Sequence, residues 1–118
     1  MSHKSRHTWR RLTVRQLRAR RAHLARHLPD LQATLHGALQ HQMRQCGEPG
    51  CRCAAGARHG PYLYLAVRVG SRRRLLYVPA SAAAMIERHV KTTGRIEDAL
   101  AEISAINLEL FARGTLDS

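Results

Sequence analysis

Residues 46–79 read CGEPGCRCAAGARHGPYLYLAVRVGSRRRLLYVP, and the rest of the chain arranges itself around them. The stretch 61–69, PYLYLAVRV, alternates with the period of a strand. Leu63, Leu65, Val67 and Val69 share one face, and Tyr62, Tyr64, Ala66 and Arg68 share the other. Gly70-Ser71 is a two-residue turn, and RRRLLYVP returns as the partner strand. The expected element is an antiparallel hairpin with Arg72, Arg73 and Arg74 just past its turn and Arg68 facing them. Residues 46–60, with four glycines and one proline, are turn chemistry throughout.

That turn holds every cysteine of the chain. Cys46, Cys51, Cys53 and His59 place four zinc-competent ligands within one short bend. Zinc prefers a tetrahedral shell of thiolate and imidazole, and closed four-ligand sites are structural. Gly47, Gly50, Gly56 and Gly60 let the backbone wrap closely around an ion. The spacing is not a pair of Cys-x-x-Cys knuckles, and His36 or His41 are alternatives to His59 as fourth ligand. The competing reading is three free thiols in a turn. An odd, clustered set of cysteines is a poor disulfide framework.

Upstream, Thr13 is the expected N-cap of a helix. Val14, Leu17, Arg21, Leu24, Leu28, Leu31 and Leu35 follow a three-four spacing, with Arg15, Arg18, Arg20, His23, Arg26 and His27 opposite. Pro29 predicts a break at 28–30 and a short helical continuation to about Leu35. Residues 37–45 fit a helix or a strand; alternation of Leu39, His41 and Met43 favours the strand. Downstream, 81–93 reads as a helix closed by a left-handed Gly94, and 96–112 as another closed by Gly114. Ile96, Leu100, Ile103, Ile106 or Asn107, and Leu110 form the stripe of the last helix. The N- and C-terminal stripes either pair with each other or form a dimer seam. Trp9 either stacks on a base or packs on its own domain.

The fold expected is therefore α+β. A small antiparallel sheet with a zinc-binding turn is flanked by an N-terminal helix and two C-terminal helices. Residues 12–118 form a single zinc-stabilised domain behind a basic flexible arm at 1–11. At 118 residues with 4% aromatics, the core is modest and aliphatic, so a metal would help a loop-rich section hold its shape.

The net charge is +12, and it is segregated. Residues 1–79 carry sixteen basic and two acidic side chains, whereas 80–118 carry four basic and six acidic. Such a basic front attracts polyanions. Three clusters supply it: Arg15, Arg18, Arg20, Arg21 and Arg26 on the first helix; Arg44, Arg52 and Arg58 about the cysteine turn; Arg68, Arg72, Arg73 and Arg74 on the hairpin. Together they point to nucleic acid, against the blander reading of a solvated surface. Tyr62 and Tyr64 would add stacking platforms if their face is open. His23 and His27 have a metal-capable spacing, but without a nearby Glu or Cys they read as surface histidines.

The run Cys46-Gly47, Cys51-Arg52-Cys53 and His59-Gly60-Pro61-Tyr62, then Tyr77-Val78-Pro79, resembles a bacterial and archaeal family, the domain of unknown function numbered 6788. The resemblance covers about residues 35–112. It implies that Cys46, Cys51, Cys53 and His59 are the functional cluster, with Gly60 and Tyr62 beside it, and it implies a transposase-associated context. The Arg-rich first helix is not attributed to the family.

Catalysis is not expected. Two-metal chemistry needs convergent carboxylates, and no acidic pair stands near the cysteines. No glycine-rich phosphate loop precedes a helix carrying Lys. The enzymatic alternative is a metal-dependent hydrolase with an open zinc site, for which Glu48 is the only local base. No run approaches the ~20 apolar residues of a membrane span, and no secretory signal opens the chain, so the cytoplasm is the expected location. The expected partner is DNA rather than RNA, with self-association or a transposase-like partner beside it. The other class of function is a protein-interaction or dimerisation module built on the long helices.

Overall fold

The structure is a computed structural model and describes residues 9–44 and 59–117, with Arg44 and His59 described by their backbone alone. Cys46, Cys51, Cys53, Glu48, Arg52 and Arg58 lie outside the described residues, as does most of the basic arm. The elements are helix α1 (Val14–Arg26), a 3-10 turn (Leu31–Ala33), strands β1 (Gly37–Arg44), β2 (His59–Val69) and β3 (Arg72–Val78), and helix α2 (Ala80–Ala112). They divide into two compact units. One joins the described residues up to Leu31 with those from Gly94 onward; the other is Gln32–Thr93.

In the first unit, Thr13 caps α1 through a full capping box. Its side-chain oxygen accepts from the Gln16 N–H at 3.1 Å, and Gln16 Oε1 accepts from the Thr13 N–H at 2.9 Å. The apolar stripe of α1 does what its spacing requires: Leu17 is fully buried with Trp9, Ile106 and Leu110, and Leu12, Val14, Leu24 and Ala105 pack around them. The N- and C-terminal stripes thus pair with each other, and Trp9 is a core residue. Each such side chain withdrawn from water contributes about 1.5–3 kcal/mol. Arg113 ties the entry of α1 to α2. It bonds Glu109 at 2.8 Å and donates to the carbonyls of Leu12 (2.7 Å), Trp9 and Arg10 (both 3.1 Å).

Two expectations need correction here. The break expected at 28–30 is present, but the helical continuation after it stops short of Leu35. The helix ends at Arg26, and only the 3-10 turn at Leu31–Ala33 follows, leaving Leu31 exposed. Pro29 accounts for this, because its ring disfavours helical backbone at Leu28. Nor are there two C-terminal helices. The helix α2 runs unbroken through Gly94, which has no left-handed φ. A glycine weakens a helix by only about 1 kcal/mol relative to Ala, and the flanking apolar stripes outweigh that. Gly114 does close the helix as expected. Its φ is 71°, its N–H donates to Phe111 O (3.0 Å), and the Thr115 N–H donates to Leu110 O (2.8 Å). Leu100 leaves the expected stripe and stands 62% exposed, since it lies roughly a quarter turn from the Ile106–Leu110 face.

In the second unit the strands form one antiparallel sheet in the order β1-β2-β3. Residues 37–44 are a strand, and the hairpin turns at Gly70-Ser71 as its sequence predicts. Gly70 has φ 64° and no non-glycine residue among the described ones has a positive φ, the pattern of a two-residue II′ turn. Leu65 and Val78 are buried on one sheet face. Gly37 permits a close strand approach, since a Cβ there would meet the Ala66 oxygen at 2.8 Å. Thr93 Oγ1 accepts from the Leu35 N–H at 2.7 Å and donates to His89 O at 2.9 Å, so the chain entering β1 is fastened to α2.

Candidate nucleic-acid interface

The register of β2 and β3 sorts the hairpin's side chains. Tyr64 lies opposite Tyr77, Ala66 opposite Leu75 and Arg68 opposite Arg73, so these six share one face. Val67 opposes Arg74 and Val69 opposes Arg72 on the other. The first face runs from an aromatic end to a cationic end. Tyr77 meets Tyr64 edge-on with centroids 5.8 Å apart, and meets Tyr62 at 6.3 Å. Tyr62 and Tyr64 are half-buried, whereas Tyr77 is 56% exposed and Leu75 is exposed beside it. On the adjacent strand, Gln40 and Gln42 continue this face, with Gln40 opposite Tyr64 and Gln42 opposite Tyr62.

The cationic end is Arg68 directly across from Arg73, with Arg72 and Arg74 alternating on the reverse face. All four are exposed, and none forms an ion pair among the described residues. Like charges placed opposite each other destabilise a sheet. The hairpin tip therefore carries a charge arrangement that folding alone would disfavour.

The basic helix is different. Arg18, Arg20 and Arg21 are drawn into the first unit's own structure. Arg20 holds Glu102 at 2.7 Å. Arg21 grips Asp117 with two bonds of 2.7 Å and reaches Asn107 Oδ1 at 2.8 Å. Arg18 donates to Thr115 O at 2.8 Å. The Arg21 bonds hold the Asp117 carboxyl well below its ordinary range, at about 2. Of the expected helix contacts, only Arg15 and Arg26 stay exposed without an ion pair among the described residues. Spacing alone identified this as a cationic face; only the fold reveals the acidic partners that α2 and the chain after it supply.

At the cysteine turn, the described backbone reaches both ends. Arg44 pairs with His59 across β1 and β2 after a register shift, so the sheet sets the two residues that flank 45–58 opposite each other. Gly60, next to His59, has φ 127°, and a Cβ there would meet the Gln42 oxygen at 2.8 Å. Only glycine suits that backbone. Among the described residues no group of three or more His, Cys, Asp or Glu could hold a metal. His23 and His27 lie ring against ring, with centroids 4.2 Å apart, and His27 Nδ1 is 2.8 Å from the His23 carbonyl oxygen.

Tyr77 enters the sequence reading only through the Tyr77-Val78-Pro79 signature, not as a binding residue. Counting the hairpin outward from Gly70-Ser71 puts it opposite Tyr64, and that count was the available signal. No helix among the described residues is long and apolar enough to cross a membrane. No curated protein and no solved structure matches the chain. The sequence model of one family matches residues 14–88, a span that takes in the sheet, the start of α2 and also the arginine-rich α1, which was expected to lie outside the family; the chain is a member of the domain of unknown function family DUF6788.

Proposed function

We propose that this chain is a zinc-stabilised DNA-binding module, acting as an accessory protein rather than an enzyme. The observation that carries the reading is the Arg68–Arg73 pair at the hairpin tip, flanked by Arg72 and Arg74 and lacking any acidic neighbour in register. A polyanion supplies the missing counter-charge. Phosphates take up arginine's fork of N–H donors, and released counterions drive the association. Arg15 and Arg26 extend the cationic surface, while Arg18, Arg20 and Arg21 serve the fold.

In this reading Cys46, Cys51, Cys53 and His59 hold a structural zinc ion. The donor set is chemically suited to it, and the Arg44–His59 pairing that flanks residues 45–58 supports it. When bound, the ion would cross-link the segment between β1 and β2. The accessory role beside a transposase-like partner rests on the signature Cys46-to-Tyr62 alone.

The test is titration of labelled DNA with the full chain over a salt series, with elemental analysis of the same preparation. Affinity should fall steeply with salt, by a log–log slope of about −0.7 to −0.9 per phosphate contact. One zinc per chain is expected. No binding at low salt removes the DNA reading, and metal-free folded protein removes the zinc.

Self-association is a second reading, favoured by one observation. Leu100, Leu108 and Phe111 stand 62%, 66% and 69% exposed along α2, on a segment of near-neutral charge. It requires an oligomer that survives high salt and dissociates in Phe111→Glu.

A further inference from the structure

We infer that the tyrosine face of the hairpin takes unpaired bases, so that the ligand of this module is single-stranded DNA; the inference rests on the DNA-binding reading and narrows it. The face combines two features that a duplex does not use together. Its aromatic end offers Tyr77, 56% exposed, in tilted ring contact with Tyr64 and Tyr62 at 5.8 and 6.3 Å. Its cationic end offers Arg68 and Arg73 on that same side of the sheet. Same-face residues repeat every second position, about 6.8 Å along a strand. Tyr77, Leu75 and Arg73 therefore form a row on β3 in which ring, apolar step and cation follow one another.

A stacking ring needs the flat face of a base. In a duplex those faces are covered by neighbouring base pairs, and only their edges and the phosphates are presented. An unpaired strand lays its bases on aromatic side chains while arginines track its backbone. The arrangement of Tyr77 is suited to this. Tyr77 is tilted 66° and 68° from Tyr64 and Tyr62 and keeps 56% of its surface exposed, whereas a ring stacked face to face with its neighbours would be spent on them. Leu75, 45% exposed and next to Tyr77 on the same side, extends the apolar floor under a second base. Gln40 and Gln42, whose side-chain amides bond each other at 3.3 Å, border the row.

The probe is labelled oligothymidine, alone or annealed to oligoadenosine, titrated with the full-length chain at one salt concentration. The single strand should bind more tightly than the duplex. Tyr77→Thr keeps a good strand former but removes the ring, and should weaken single-strand binding roughly 5- to 150-fold while changing duplex binding little. Tyr77→Phe keeps the ring and should bind like the parent. Ultraviolet cross-linking of the unaltered protein to a bromodeoxyuridine strand should mark Tyr77 or Tyr62, which keeps the idea testable if Tyr77→Thr does not fold. Equal affinity for both DNA forms, a folded Tyr77→Thr with parental affinity, or cross-links confined to residues outside β2 and β3 would each overturn it. If the parent binds neither form, the DNA-binding reading itself has failed; if it binds both equally and loses both on Arg68→Ala with Arg73→Ala, that reading stands and only the stacking inference falls.

Discussion

Replacing Arg73 by Glu should make the protein more stable and a poorer DNA binder at once. Arg68 and Arg73 are directly opposite in the hairpin. Two unit charges about 6 Å apart in a water-like medium repel by about 0.7 kcal/mol, and physiological salt roughly halves that. Arg73→Glu turns this repulsion into attraction, so the net stabilisation is about 0.5–1 kcal/mol, at the upper end for exposed pairs. In thermal unfolding of a domain this size that is an upward shift of a few degrees. Removing one phosphate contact lowers the salt slope by about 0.7–0.9, which weakens binding roughly 5- to 10-fold at 0.1 M salt. Differential scanning fluorimetry and anisotropy titration on one preparation read both quantities. A residue kept for folding would lose stability on substitution. A less stable Arg73→Glu protein, or one with unaltered DNA affinity and slope, refutes the argument that the tip trades stability for polyanion capture.

Three further outcomes follow from the local geometry. Gly94→Ala should stabilise by about 0.5–1 kcal/mol in chemical denaturation, because Gly94 is interior to α2 and no atom lies within 4 Å of the added Cβ; a loss of stability would reinstate a helix end there. Gly60→Ala should destabilise by at least about 1–3 kcal/mol, since its φ of 127° suits only glycine and the new Cβ would collide with the Gln42 oxygen; an unchanged denaturation midpoint would contradict the strand geometry beside His59. Asp117 is depressed to about 2 by its Arg21 bonds and its own backbone hydrogen bond. Its stabilising contribution should be complete above the ordinary carboxyl range near pH 4 and vanish as pH falls through about 2. A carboxyl titration followed by NMR that places Asp117 at its ordinary value would break the pairing.

Much of the hairpin was legible because a strand's period of two is strict. Once Gly70-Ser71 is taken as the turn, every pairing from Val69–Arg72 to Leu63–Val78 follows, and the Arg68–Arg73 opposition with it. Thr13 was legible for a similar reason, as capping is settled within three residues. The boundaries at Leu28 and Gly94 were harder to place. Proline and glycine both interrupt helices in principle, but proline removes a donor and clashes, whereas glycine only adds entropy that neighbouring packing can overcome.

The amino-acid order by itself determined the strands, the turn, the clustering of Cys46, Cys51, Cys53 and His59, and the segregation of charge, because each is set by neighbours in the chain. Only the tertiary structure decided which arginines are spoken for. Arg18, Arg20 and Arg21 meet Glu102, Asn107, Asp117 and the Thr115 carbonyl, all far along the chain, while Arg68 and Arg73 stand opposite each other across β2 and β3 with no ion pair among the described residues. An ion pair is formed by distance in space, and local spacing carries no record of which distant residue folding will bring near.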